Sequence, residues 1–174
     1  GVQNTFIGGL AGDATTTAAN NTAVGYASLG ANTTGASNVA IGFGAGQRNT
    51  TASNNTFLGF LTGEYNTTGT YNVAVGAIAL SSNTTGGYNT AVGYGSLQEN
   101  TTGNNNTAVG RLALTANTTG TLNVAMGLNA LLGNTTGASN TALGYSSLAA
   151  NTTGADNVAV GALALDANTT ASYN

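Results

Sequence analysis

Apolar and polar residues in this chain recur with one fixed period. The glycine that follows each apolar pair stands at Gly8, Gly25, Gly42, Gly59, Gly76, Gly93, Gly110, Gly127, Gly144 and Gly161, every interval being seventeen residues. The asparagine four residues earlier keeps the same step, from Asn4 through Asn21 and Asn38 to Asn174. Take that asparagine as position 1. The repeat then reads Asn, Thr or Val, Ala or Phe, an aliphatic, Gly, two variable residues, a small residue, usually Leu, and two variable residues. Asn-Thr-Thr-Gly and two more residues complete it, as in the clean copy that runs from Asn89 to Gly103.

Seventeen residues are too few for the paired helices of ankyrin or tetratricopeptide repeats, which need about 33. They suit one coil of a β-helix or β-roll. Val73, Ala74 and Val75 alternate with the period of two that marks a strand, and Val39, Ala40 and Ile41 repeat the pattern. Weighting the β-branched residues, the pattern predicts positions 2 and 4 inward and position 3 outward. The inner column is then Ile7, Val24, Ile41, Leu58, Val75, Val92, Val109, Met126, Leu143 and Val160. A second short strand is predicted around Ser96–Leu97. Asn-Thr-Thr-Gly is expected to form a turn, its glycine supplying a positive φ.

A lone coil of this kind cannot bury its own apolar residues. A following coil, about 4.8 Å away, covers them and completes the backbone ladder. Like residues then stack on like. Leu80, Leu97, Leu114, Leu131, Leu148 and Leu165 form a second apolar column, with glycine in its place at positions 12, 46 and 63. The coils nearby carry Phe6, Phe43, Phe57 and Phe60, whose rings are expected to fill the volume the missing leucines leave. The asparagines Asn21, Asn38, Asn55, Asn72, Asn89, Asn106, Asn123, Asn140 and Asn157 are expected to form a structural ladder of side-chain amides. The predicted fold class is therefore all-β: a parallel β-solenoid or β-roll, one 17-residue coil per repeat, with residues 1–174 as a single ten-coil array about 48 Å long. With no atypical cap at either end, the sequence reads as a segment of a longer chain.

Composition narrows the function. Only 4% of residues are charged, against roughly 25% in a typical protein. Both cationic residues are arginines, Arg48 and Arg111, too few for a nucleic-acid stripe or an anionic-membrane patch. No apolar run reaches the roughly 20 residues of a membrane span. Cys and His are absent, so there are no disulfide staples and no thiol or imidazole chemistry.

The run Asn38-Val39-Ala40-Ile41-Gly42-Phe43-Gly44-Ala45, with copies at Asn72–Gly76 and Asn157–Gly161, resembles the head repeat of YadA-like trimeric autotransporter adhesins. The resemblance implies a left-handed parallel β-roll, three chains side by side and a role in surface adhesion. The coils here are longer than that family's usual repeat, the excess falling around Asn-Thr-Thr-Gly. The Asn-Thr-Ala-Val-Gly-Tyr runs are also similar to phage tail-fibre shaft repeats.

No catalytic constellation can be assembled. Asp13, Glu64 and Asp166 share one repeat position but lie several coils apart, and Asp156 and Asp166 occupy different positions. Gly42-Phe43-Gly44-Ala45-Gly46 imitates a phosphate loop, but it lacks a following Lys and opens no helix. The expectation is a non-enzyme with no catalytic residues, no metal and no cofactor.

Three surface features remain. Asn32, Asn49, Asn66, Asn83, Asn100, Asn117, Asn134, Asn151 and Asn168 head Asn-x-Thr sequons and are candidate glycosylation sites, with an inward ladder as the sugar-free alternative. Asn20, Asn54 and Asn105 head sequons too. Paired Thr columns, Thr16 to Thr169 and Thr17 to Thr170, invite an ice-binding reading, with one column outward. Tyr26, Phe43, Phe60, Tyr94 and Tyr145 share one position and form a candidate interface. The leading function is a rigid extracellular fibre or adhesin stalk, at a cell surface or on a virion tail. It would self-associate as a homotrimer or filament, without nucleic acid and without membrane insertion by this segment. The alternative is a surface that recognises host glycans or ice, or a glycosylated filament.

Overall fold

The computed structural model describes residues 1–174. Ten three-residue strands follow one another: β1 (Thr5–Ile7), β2 (Thr22–Val24), β3 (Val39–Ile41), β4 (Thr56–Leu58), β5 (Val73–Val75), β6 (Thr90–Val92), β7 (Thr107–Val109), β8 (Val124–Met126), β9 (Thr141–Leu143) and β10 (Val158–Val160). They pair in parallel, in chain order, as one ten-stranded sheet. Each residue faces its equivalent seventeen residues on, as Ala91 faces Ala108. The protein is a β-solenoid with one coil per repeat, as its period predicts.

The strands turn the other face inward from the one predicted. Their middle residues, Ala23, Ala40, Phe57, Ala74, Ala91, Ala108, Ala125 and Ala142, are fully buried. The aliphatics of position 4 lie outside: Ile7, Ile41, Val109, Met126 and Val160 are exposed, and Val24, Leu58, Val75, Val92 and Leu143 are half-buried. The reason is the width of the interior. Leu29, Leu80, Leu97, Leu114, Leu131 and Leu148 enter it from the opposite wall and are themselves fully buried. What remains opposite the strand is space for a methyl group. Small size marks the buried residue here, and the larger aliphatics shield the outer side of the sheet.

The leucine and phenylalanine substitutions follow from that shared volume. Where Phe replaces Ala on the strand, at Phe6 and Phe57, glycine replaces Leu across from it, at Gly12 and Gly63; Gly46, one coil before Phe57, faces the same ring although its own strand carries Ala40. A Cβ built on Gly63 would lie 2.4 Å from the Phe57 ring, one on Gly46 2.8 Å from the same ring, and one on Gly12 2.6 Å from that of Phe6. The pair Phe plus Gly conserves the volume of Ala plus Leu, the kind of exchange cores tolerate best. The expectation holds for Phe6 and Phe57. Phe43 and Phe60 play no part in it, because they stand on the outer surface.

No second strand forms at Ser96–Leu97. Residues 94–99 run through consecutive turns, with Gly95 and Leu97 in the left-handed region at φ 63° and 50°. The alternation splits the backbone donors. Gly95 N–H donates to Ala77 O of the preceding coil, and Leu97 and Glu99 N–H to Ala113 O and Thr115 O of the following one. Ser96 and Asn100 N–H close turns onto Gly93 O and Leu97 O. A leucine in this conformation costs about 1–2 kcal/mol, and burial of its side chain returns about 1.5–3 kcal/mol. Of 115 backbone hydrogen bonds, 97 lie outside the strands; some close turns within a coil but most join neighbouring coils, so cohesion between coils is distributed around the circumference.

Two glycine positions do different work. The position-5 glycines all have φ between 124° and 140°, open only to glycine, and a Cβ on Gly93 would lie 2.6 Å from Gly110 O of the next coil. The glycine of Asn-Thr-Thr-Gly is not in the left-handed region, contrary to the sequence reading. There glycine allows close approach: a Cβ on Gly103 would lie 2.4 Å from Gly120 O and 2.5 Å from Asn100 Oδ1. Ala18, Ala52 and Ala171 hold that position in the remaining coils. The positive φ falls instead on the last residue of each coil, such as Asn54 at 61° and Tyr88 at 59°.

Two outcomes test the inverted parity and the shared volume. Ala91→Asp places an unpaired charge in the core and is expected to cost about 3 kcal/mol or more. Val92→Asp, facing outward, is expected to cost no more than about 1 kcal/mol; thermal melts of the two variants decide. Phe57→Ala alone should cost about 3–5 kcal/mol. Adding Gly63→Leu should recover a large part of that loss in a double-mutant cycle, while Gly63→Leu alone clashes with the ring and destabilises.

Candidate functional site

The asparagines define the interior. In the position-1 column, each backbone N–H donates to the carboxamide oxygen of the preceding asparagine, as Asn38 N does to Asn21 Oδ1 at 2.9 Å. Asn55, Asn72, Asn89, Asn106, Asn123, Asn140 and Asn157 repeat the bond at 2.9–3.1 Å. A second column, from Asn32 to Asn168, is a ladder of side chains alone: Asn100 Nδ2 donates to Asn83 Oδ1 at 2.8 Å and Asn117 Nδ2 to Asn100 Oδ1 at 2.8 Å.

In coils two to ten the two columns meet on one acceptor per coil. Gly103 O accepts from Asn89 Nδ2 at 2.9 Å and from Asn100 Nδ2 at 3.0 Å. In the coil before it, Gly86 O accepts from Asn72 and Asn83 in the same way, both at 2.9 Å. The carbonyl's two lone pairs are filled by the first and twelfth residues of the coil, which pins the coil shut.

This geometry revises the glycosylation sites. Asn32, Asn49, Asn66, Asn83, Asn100, Asn117, Asn134 and Asn151 have no accessible surface, and Asn168 is half-buried. Glycosylation replaces a hydrogen on Nδ2. From Asn49 to Asn168 that nitrogen already donates twice, to the preceding asparagine and to the position-15 carbonyl, as Asn49 does to Asn32 Oδ1 and Ala52 O. A sugar there is incompatible with the closed coil. The sequons at Asn20, Asn54 and Asn105 stand apart: these asparagines are exposed, on the last residue of their coils.

The threonine columns divide. From Thr33 to Thr152 the position-13 residues are half-buried and their hydroxyls donate to the next coil's carbonyl, as Thr84 Oγ1 does to Thr101 O at 3.0 Å. Position 14, from Thr17 to Thr170, is exposed in every coil.

The candidate aromatic column is on the surface, and its members are brought together in part. Tyr26 stacks on Phe43 with centroids 5.3 Å apart, and Phe43 on Phe60 at 5.5 Å. Ala77 ends that stack, and Tyr94 and Tyr145 stand further along the same column, separated by other residues. All five rings are about half exposed. Tyr71 and Tyr88 form a second stack at 5.0 Å, on the last residue of their coils.

The charged residues lie on the outside of the coils. The surface has one notch, about 350 Å³, where the small residues Gly30 and Ala31 of the second coil sit between Asp13 of the first and Gln47 and Arg48 of the third. The Arg48 guanidinium lies 4.5 Å from the Tyr65 ring centroid, a cation–π contact that fixes its direction. Asp13, Glu64 and Asp166 stay separated by whole coils.

If material from the natural source carries N-linked sugar, peptide mass spectra should place it at Asn20, Asn54 or Asn105, with the Asn-Thr-Thr peptides of coils two to nine unmodified. Comparison with family models, curated proteins and solved structures returned no match to this chain.

Proposed function

We propose that the chain is a structural rod, a length of extracellular fibre or adhesin stalk, whose work is to hold what is attached to it at a fixed distance. The observation that carries this reading is the pair of asparagine ladders, which run together without interruption from the second coil to the tenth and close each of those coils on itself. Backbone bonds between coils accompany them around the whole circumference. A rod so built resists bending and sliding because displacing one coil strands several buried amides at once, at about 1–3 kcal/mol for each unsatisfied group. The separation of Asp13, Glu64 and Asp166 by whole coils supports a non-catalytic role. The low charge and the repeat resemblance favour a setting at a cell surface or on a virion tail.

A second reading has one observation behind it. The exposed position-14 threonines form a row of hydroxyls at the coil spacing, about 4.8 Å. A single row matches an ordered-water or glycan lattice along one direction only, so this ranks below the structural role.

Pulling the array between its two ends tests the rod. It should keep its length until it yields, then lengthen in steps of about 50 Å or whole multiples of that. This is the extended length of seventeen residues less one coil rise. Gradual lengthening at low force, without steps, would contradict the reading.

A further inference from the structure

The notch in the first three coils is a departure from the repeat. Positions 10 and 11 carry Asp13 and Ala14 in coil one, Gly30 and Ala31 in coil two, and Gln47 and Arg48 in coil three. The small middle pair leaves a hollow of about 350 Å³, with Asp13 on one wall and Arg48 on the other. That volume falls within the range of small-molecule pockets, about 300–1,000 Å³. No other coil has opposite charges at adjacent repeat positions of the two coils that flank it.

Its chemistry has three parts. The floor is a glycine and an alanine, and the exposed Leu10 stands at the lip, so the middle is apolar. The two ends carry opposite charges. The cationic end is already oriented, because the Tyr65 ring against the Arg48 guanidinium leaves the side chain less freedom to lose on binding. A matching ligand is cationic where it meets Asp13, anionic where it meets Arg48, and apolar between.

The coil rise sets its length. Asp13 and Arg48 stand two coil steps apart, about 9.6 Å. Arg48 leans toward Tyr65 on the coil beyond, which widens the span to at most about 14 Å. Two charge-assisted hydrogen bonds of about 2.8 Å each leave roughly 4–9 Å between the charged ends of the ligand. The ammonium and carboxylate of an α-amino acid, borne on one carbon, fall short of that span, and those of a short ω-amino acid meet it.

We propose that this notch binds an ω-amino acid, with its methylenes over Gly30 and Ala31, its ammonium on Asp13 and its carboxylate on Arg48. The site adds a place for a small ligand to the rod, and it stands whether or not the rod bears load.

The experiment is an NMR titration of the whole chain with δ-aminovalerate, following the backbone amides of Gly30 and Ala31 at low salt, where exposed charges are least screened. Saturable shifts of these two amides are expected. Valerate and pentylamine, which each lack one charge, and glycine, which is too short, should bind at least about threefold more weakly, the scale of one exposed ion pair. Asp13→Asn and Arg48→Gln should each weaken δ-aminovalerate by at least about threefold. Asp166→Asn, at the repeat position of Asp13 but in coil ten, should leave binding intact. Ala31→Tyr fills the notch with a residue that position 11 already accommodates at Tyr65, so it should abolish the shifts without lowering the melting temperature. The site is overturned if Gly30 and Ala31 show no saturable shift, if Asp13→Asn and Arg48→Gln bind as the parent does, or if valerate or pentylamine binds as well as δ-aminovalerate.

Discussion

From the second coil to the tenth, each coil is closed by one carbonyl oxygen. Gly103 O, and its equivalent along the array, takes two carboxamide hydrogens, one from each asparagine column. Everything else follows from keeping that junction dry. The glycine that carries it lets the next coil approach, and the neighbouring threonine hydroxyls add a bond to carbonyls that already accept backbone N–H groups across the coil step, as Thr101 Oγ1 does at Thr118 O. A buried carboxamide without partners costs more than a formed hydrogen bond contributes. The ladder therefore favours an unbroken array over a partial one. In the first coil Thr15 stands where the others have asparagine, and its hydroxyl is buried without a partner, which shows what the column supplies elsewhere.

The period, the strand position and the parallel stack were legible in the sequence because seventeen-residue spacing leaves little else that can bury the apolar residues. The direction of the strand was not. Alternation at Val73-Ala74-Val75 states that neighbours face opposite ways but not which way is in. Hydrophobicity points to the valines; the width left by Leu80 and Leu97 admits only alanine. The glycines at 12, 46 and 63 held the missing clue, since exchange of Leu for Gly opposite Phe requires those two positions to share one space. The turn segment around Leu97 was hidden for a different reason: leucine carries no signal for the left-handed region, and burial rather than propensity holds it there.

The candidate surfaces were partly legible. The asparagines of Asn-Thr-Thr match a modification signal, but the same carboxamide chemistry makes a ladder, and burial decides between them. The aromatic column was recognisable as outward. Its stacking was not, because Tyr26, Phe43 and Phe60 fall on successive coils while Tyr94 and Tyr145 do not. With the interior committed to amides and methyl groups, the outer faces are what remains for partners.

Hydrogen exchange followed by NMR tests the central claim most directly. The protons on Nδ2 of Asn83, Asn100 and Asn117 can be compared with the backbone amide of Leu97, which donates to Ala113 O. If the ladders hold the coils together, these side-chain protons exchange only when the array opens, at the rate of the Leu97 amide once intrinsic rates are allowed for. Exchange of the asparagine side chains at the speed of free carboxamides, while the Leu97 amide stays protected, would contradict the account.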